Sequence, residues 1–371
     1  MGKKQWKDVL HIISGKNQKA VENPDGKYPI YGSGGLIGYA DDYLCEAGTT
    51  IVGRKGTINR PIFVTEPFWN IDTAFGIVPD EGLDPKYLYY FCVFFNFMPL
   101  DKSTGRPSLA KSDLLEIEMP VPPLEEQQRI VARIEELFSQ LDDAEATLQK
   151  TKAQLSLYRQ AVLKEAFQGK EQWDKHTFNN LLSGMRNGYG EKPTDSGDYK
   201  ILRISAVRST LLNLSDYRMN QSAFAEENLI QENDLLFTRY NGSQEYVGVC
   251  ARVPSLDDDY AYPDKIIRCR LKQPETILAK YLMYYLNSGD ARKYIRSKIK
   301  TTSGQKGIAG GDIKKTIVYI PSVKKQADII AYIESRLSLC DSIEHSIHES
   351  LLLATAVRHS ILRQYIYGGT L

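Results

Sequence analysis

The chain of 371 residues has no run of about 18 consecutive apolar residues, so no membrane span is expected. Its opening, MGKKQWKDVL, carries cations without an apolar stretch behind them, which argues against a secretory leader. Cysteine is scarce. Cys45, Cys92, Cys250, Cys269 and Cys340 are odd in number and widely scattered, which argues against a disulfide framework or a zinc site. A reducing cytoplasm is the expected compartment. An excess of one charge is also lacking, since 47 Lys and Arg face 46 Asp and Glu. Any binding of nucleic acid must therefore use local patches rather than bulk charge. Catalytic signatures are missing as well. There is no Asp/Asn-Pro-Pro-Tyr methyltransferase motif, no phosphate-binding loop and no nuclease-like Asp…Glu-x-Lys. The chain reads as non-catalytic, with no cofactor. His345 and His348 lie three apart beside Glu344 and Glu349, but no third ligand clusters with them. They read as solvated helix residues, and no metal is expected.

Two long stretches lack Gly and Pro, and they are copies of one another. The first, Leu124–Gln168, lies in a repeat that opens MPVPPLEEQQRIVARIEELF at Met119, and the second, Ser322–Tyr367, in one that opens VYIPSVKKQADIIAYIESRL at Val318. An offset of 199 aligns them without a gap. It sets Pro122 on Pro321, Gln127 on Gln326, Ile134-Glu135 on Ile333-Glu334, Asp142 on Asp341, Arg159 on Arg358 and Gly169 on Gly368. In the first, apolar residues recur at steps of three and four. Ile130, Ile134, Leu137, Leu141, Ala144, Leu148, Leu155, Tyr158 and Val162 form a heptad seam. In the second the seam reads Ile329, Ile333, Cys340, Ile343, Ile347, Ala354, Val357 and Ile361. Thr151 and Ser350 interrupt the two seams at equivalent places, where a shared polar layer can fix register. Each helix should run for roughly 45 residues, or about 68 Å. The simplest burial pairs them antiparallel.

The repeat continues upstream. Thr104-Gly105-Arg106 falls on Ser303-Gly304-Gln305 and Leu109-Ala110 on Ile308-Ala309. Thr50-Ile51-Val52-Gly53-Arg54 resembles Leu235-Leu236-Phe237-Thr238-Arg239, although the offset drifts there. Two heads, about 4–118 and 174–318, therefore read as diverged copies of one fold. They contain short strands (TIVGRK, RPIFV, AFGIVP; KILRISAV, NDLLFTR, VGVCARV, KIIRCRL) and an aromatic helix each, PKYLYYFCVFFNF and AKYLMYYLNSGDARKYI. The expected class is α+β heads on an α stalk, divided as 1–118, 119–170, 171–318 and 319–371. Two similar heads at a fixed separation suit a molecule that reads two things at a set distance. The first head holds 13 Lys and Arg against 15 Asp and Glu over residues 1–118, and the second 22 against 18 over 171–318.

Gly105…Asp113 running into MPVPPLEEQQRI, with YGSGGLIGYADDYL and TIVGRKGT before it, resembles the DNA-specificity (S) subunits of Type I restriction–modification systems. The likeness covers essentially the whole chain. It implies two pseudo-repeated target-recognition domains joined by two long antiparallel coiled-coil helices. It also implies that each domain reads one half of a split, asymmetric site in double-stranded DNA. The partners implied are two methyltransferase (modification) subunits docked on the helices, and through that complex a restriction subunit. The setting implied is a prokaryotic cytoplasm. The second copy departs at Pro321-Ser322 and Lys325-Gln326, where the first has Pro122-Pro123 and Glu126-Gln127. The two helix starts are therefore not expected to meet partners identically.

Candidate DNA contacts follow from charge and position. Arg54 and Arg239 each end an apolar strand before a Gly-containing turn, with Lys55 following the first. Such an Arg can contact guanine bidentately or clamp a phosphate. The other reading is an Arg paired with a carboxylate inside its own domain. Arg292, Lys293, Arg296, Lys298, Lys300 and Lys306 crowd a segment without an acid that also contains Gln305. Lys102, Arg106 and Lys111 are its counterpart in the first head. Cations beside a Gly/Ser loop suit a phosphate backbone, against the alternative of a solvated helix face. Tyr31 and Ser33 in the glycine-rich Tyr31–Gly38 segment read equally as base contacts or as a strand and turn whose bends need Gly. Tyr240, Asn241 and Gln244 could present a ring and amides to base edges, or belong to an ordinary polar loop. The aromatic run Tyr87–Phe97 reads as core rather than a base-stacking platform. Two rivals stand beside the DNA-specificity reading: a coiled-coil adaptor with protein-binding heads, and a self-contained methyltransferase with tandem recognition domains.

Overall fold

A computed structural model describes residues 2–190, 196–221, 224–302 and 304–368. They group into two compact units, Met1–Lys150 with Ile347–Leu371, and Thr151–Ser346. Each unit holds one head and parts of both long helices.

In the first unit a four-stranded antiparallel sheet has the order Leu10–Ser14, Ala74–Pro79, Thr49–Gly53, Ile62–Val64. Thr49–Gly53 is buried at every position, and its β-branched Thr, Ile and Val suit an inner strand. Helix Pro85–Phe94 packs on this sheet. Asp84 caps it, its Oδ1 accepting from the amides of Lys86 and Tyr87 at 2.9 Å each, and Pro85 opens the first turn. Tyr87, Leu88, Phe91 and Cys92 join Trp6, Phe75 and Phe97 in the core, so the aromatic run supplies packing. A second sheet has the order Gly35–Ala40, Tyr28–Gly32, Trp69–Asn70, the last pair parallel. A register shift between Ile30 and Tyr31 bends its hairpin.

The second unit repeats both sheets in the same order. The larger runs Leu182–Asn187, Ile266–Leu271, Leu235–Thr238, Cys250–Arg252, and the smaller Tyr217–Asn220, Tyr199–Leu202, Tyr260–Ala261. Two features depart from the sequence reading. The expected single aromatic helix is two, Ala279–Leu286 and Gly289–Ser297. The break has a cause: the Asn287 side chain donates to the Cys250 carbonyl at 2.6 Å and accepts from the Cys250 amide at 3.0 Å. It thereby caps an edge strand. The cationic Gly/Ser loop also contains a short hairpin, Lys300–Thr302 with Gln305–Gly307. Ser303 lies outside the described residues. All five cysteines are buried and free.

The long helices span Leu124–Ala166 and Val323–Tyr367. Within the first unit, Ile130, Val131 and Ile134 share a core with Leu362 and Ile366. Arg358 reaches Asp142 and Glu145 while its guanidinium covers the Phe138 ring. Within the second, Arg159 meets Asp341 at 2.6 Å and Glu344 at 3.1 Å. These triads are the same residues under the 199 offset. Pairing early positions of one helix with late positions of the other makes the helices antiparallel. Ala144 and Tyr158 of the expected seam are exposed. The Tyr158 hydroxyl oxygen instead accepts from Arg336, and a side chain with an apolar body and polar tip can serve at the margin of a seam.

Candidate nucleic-acid interface

Arg54 and Arg239 are held by the same two backbone bonds. The Arg54 amide donates to the Thr73 carbonyl at 2.8 Å, and its carbonyl accepts from the Leu109 amide at 2.8 Å. The Arg239 amide donates to the Lys265 carbonyl at 2.7 Å, and its carbonyl accepts from Ile308 at 3.0 Å. Each follows the third strand of its four-stranded sheet, and each guanidinium lies over a ring. Arg54 is 5.6 Å from the Phe75 centroid and Arg239 is 4.8 Å from that of Tyr240. Arg239 Nη1 also donates to the Asp264 carbonyl at 3.4 Å. Neither is in an ion pair among the described residues. Fixed backbone and half-buried stem leave a pre-oriented cation at a strand end.

Around Arg54 the structure gathers Ser33, Lys55 and Arg106. Lys55 bridges to Ser108 and the Gly56 amide donates to the Pro107 carbonyl at 2.8 Å. The Arg106 guanidinium lies flat against Gly56, where an added Cβ would fall 2.7 Å from its Nη2, and the φ of +86° there also favours glycine. Ser33 packs toward Gly53 and is buried, its amide donating to Thr73 Oγ1 at 3.4 Å. Tyr31 meets Phe68 edge-on at 5.6 Å, and its phenol is raised above the usual range by burial and then by Glu66. Lys102 pairs with Asp113 at 2.7 Å, and Lys111 donates to the Ile12 carbonyl at 2.7 Å. Both therefore have partners inside the head.

Around Arg239 the gathering is a three-stranded ribbon, Tyr240–Asn241, Gln305–Gly307, Lys300–Thr302. Tyr240 and Lys300 both register with Gly307, and Asn241 with Lys306. Pairing between distant segments thus brings Arg239, Tyr240, Asn241, Lys300, Gln305 and Lys306 together. The other cations differ. Arg292 is largely buried and donates to the Val247 carbonyl at 2.9 Å and the Glu245 carbonyl at 2.8 Å. Burial, followed by the neighbouring Arg296, brings its guanidinium down to about 10. Lys293 lies 3.9 Å from Asp290, and Lys298 lies 5.2 Å from the Tyr294 ring centroid. Lys293 and Arg296 line a cavity of about 970 Å³ with Lys164 and Lys170. Gln244 begins a short 3-10 helix, Gln244–Tyr246. Arg203, Arg218 and Lys265 line a second cavity of about 420 Å³ beside Arg239, and sequence reasoning missed all three. They come from three separated segments, so no local signal marks them.

Among the described residues, no group of three or more His, Cys, Asp or Glu could hold a metal, and no helix is long and apolar enough to cross a membrane.

The two heads with their repeated sheet order define a class of paired specificity domains. The family profile for the Type I restriction modification DNA specificity domain matches residues 1–154 and 186–353, and the chain belongs to that family. Among its relatives is the Type I restriction enzyme EcoKI specificity subunit of Escherichia coli (strain K12), 38% identical over 275 residues, covering 70% of this chain and 58% of the relative. The chain thus matches under two thirds of that relative's length. The StySPI specificity subunit of Salmonella potsdam is 27% identical, covering 85% of this chain and 72% of its own. Two solved structures share the fold. One is described as the structural basis underlying complex assembly and conformational transition of the type I R-M system. It has a TM-score of 0.74 and 13% identity, covering 98% of this chain and 97% of its own. The HsdS subunit from Thermoanaerobacter tengcongensis has a TM-score of 0.59 and 14% identity, covering 99% and 96%.

Proposed function

We propose that this chain is the sequence-reading subunit of a Type I restriction–modification complex. Each head reads one half of a bipartite, asymmetric site in duplex DNA. The long helices carry two modification subunits, and the assembly engages a restriction subunit. The observation that carries this reading is the pair Arg54 and Arg239. Both stand at the same strand end on the same two backbone bonds, with no ion pair among the described residues. A guanidinium fixed this way suits a bidentate contact to guanine or a phosphate. Arg106 and Lys55 in the first head, and the ribbon of Tyr240, Asn241, Lys300, Gln305 and Lys306 in the second, supply the surrounding donors. Exposed Lys102 and Lys111 add charge around the first head, and Lys293, Arg296 and Lys298 around the second, while Arg292 braces the second from within.

The chain itself acts without catalysis, which the missing catalytic motifs support. Purified alone, it is expected neither to methylate nor to cleave DNA, and methyl transfer by the isolated chain would overturn the reading. The decisive experiment sequences methylated bases in a host that carries the chain with its methyltransferase. A split motif should appear with the chain present and vanish without it.

A further inference from the structure

The two heads share a fold but differ in charge at one place. The Arg54 amide donates to Thr73 and the Arg239 amide to Lys265, so Thr73 and Lys265 are equivalent. Gly26 and Gly197 each crowd the backbone at the far end of a hairpin, at Ala40 and Asn220, and each stands two residues before a tyrosine, Tyr28 and Tyr199. That sets Ile30 on Ile201 and Gly32 on Arg203. Since Ile30 pairs with Gly38 and Ile201 with Arg218, Gly38 matches Arg218. The first head therefore has Gly32, Gly38 and Thr73 where the second has Arg203, Arg218 and Lys265.

Those three cations are exposed and line the one cavity of about 420 Å³. Arg203 continues the strand Tyr199–Leu202 with extended backbone, two residues beyond Ile201, the cross-strand neighbour of Arg218. Residues two apart on an extended segment point to one face, so the two guanidinium groups share a side. Among the described residues Arg203 has only a loose ion pair, with Asp216 at 3.6 Å. Asp264 also lines the cavity, and its carbonyl receives Arg239 Nη1. The cavity thus adjoins the proposed base-reading arginine through both Lys265 and Asp264.

We propose that this cavity is a binding subsite for the DNA phosphate backbone, present in the second head and absent from the first, with Arg203, Arg218 and Lys265 as its donors. The proposal rests on the DNA-recognition reading above. It makes the second head the more salt-sensitive of the two, because each phosphate neutralised releases condensed counterions.

The test uses the full chain and a mixed-sequence DNA duplex, with affinity measured over a range of salt. The Arg203→Gln/Arg218→Gln/Lys265→Gln variant should reduce the slope of log affinity against log salt by about two to three, at ~0.9 per phosphate contact. Its affinity at moderate salt should fall by about tenfold or more. A variant with the same charge loss elsewhere in the unit, Lys175→Gln/Lys272→Gln/Lys324→Gln, should keep the slope. The charge-preserving Arg203→Lys/Arg218→Lys should keep it as well, which separates lost charge from lost fold. A wild-type slope that the first variant leaves unchanged overturns the subsite alone. Equal losses in the first variant and the Lys175/Lys272/Lys324 variant also overturn it, since net charge would then be the cause. Absence of any salt-dependent DNA binding by the wild-type chain overturns the DNA reading itself.

Discussion

Gln127 and Gln326 do the same work in each unit. Gln127 Nε2 donates to the carbonyls of Gly82 at 2.9 Å and Pro122 at 2.8 Å, while its Oε1 accepts from the Asp84 amide at 2.7 Å. Gln326 Nε2 donates to Thr276 at 3.0 Å and Pro321 at 2.9 Å, and its Oε1 accepts from Leu278 at 2.9 Å. Both side chains are fully buried. One amide thus ties the start of a long helix to the segment that begins the aromatic helix. Leucine would fill the space but leave those backbone groups unpaired. Each of Gln127→Leu and Gln326→Leu should destabilise its unit by roughly 2–3 kcal/mol, the cost of buried groups left unsatisfied. Thermal and denaturant unfolding would measure it, and wild-type stability in either variant would show that water reaches these groups. At the same scale, Arg54→Ala and Arg239→Ala should leave unfolding nearly unchanged. They should cost about 1–3 kcal/mol in binding to the cognate site, the range of a bidentate base contact. Full site discrimination by folded variants would make both arginines structural.

Among the elements, the long helices depend on two equivalent triads, Arg159 with Asp341 and Glu344, and Arg358 with Asp142 and Glu145. Each Arg is about a quarter exposed, and Arg358 also covers Phe138. Truncation to Ala should cost about 1 kcal/mol, since partly solvated ion pairs contribute little. Arg159→Glu should cost more, because it sets a third carboxylate against Asp341 and Glu344. That extra cost should shrink at high salt, which screens like charges. Melting curves at low and high salt decide, and a salt-independent loss would mean that packing dominates. These helices were legible in the sequence because the absence of Gly and Pro and the recurrence of Ile, Leu and Val are local signals. So was the equivalence of the heads, through an offset that holds for dozens of residues. The ribbon at Tyr240 was not legible, because Tyr240–Asn241 joins a hairpin at Lys300–Gly307, far along the chain. Nor was the inward role of Arg292. In sequence it is one cation among several, and only the fold brings the Glu245 and Val247 carbonyls to it. The break at Asn287 is of the same kind, since its cause is the distant backbone of Cys250.

For the whole molecule, the question is whether the heads can be exchanged one at a time. The ends of each head are pinned side by side. Asp174–Thr177 pairs antiparallel with Ile317–Ile320, and Lys3–Gln5 pairs with Glu118–Pro120. A segment whose ends enter and leave through one two-stranded clasp can be replaced without moving the chain on either side. The core of the second head is built from strands and helices inside that clasp, with Phe167 added from the turn after the first long helix and Ile329, Ile330 and Ile333 from the second. A graft must therefore keep those four contacts. Residues 174–318 replaced by the matching segment of a relative with another target should change one half of the methylated motif and leave the other half as it was. Sequencing of methylated bases, with the same modification subunit present, reads both halves at once. An altered motif in both halves, from a graft whose stability is unchanged, would mean that the heads do not read independently. An unchanged motif would place recognition outside the grafted segment, and with it outside Arg239 and the ribbon that surrounds it.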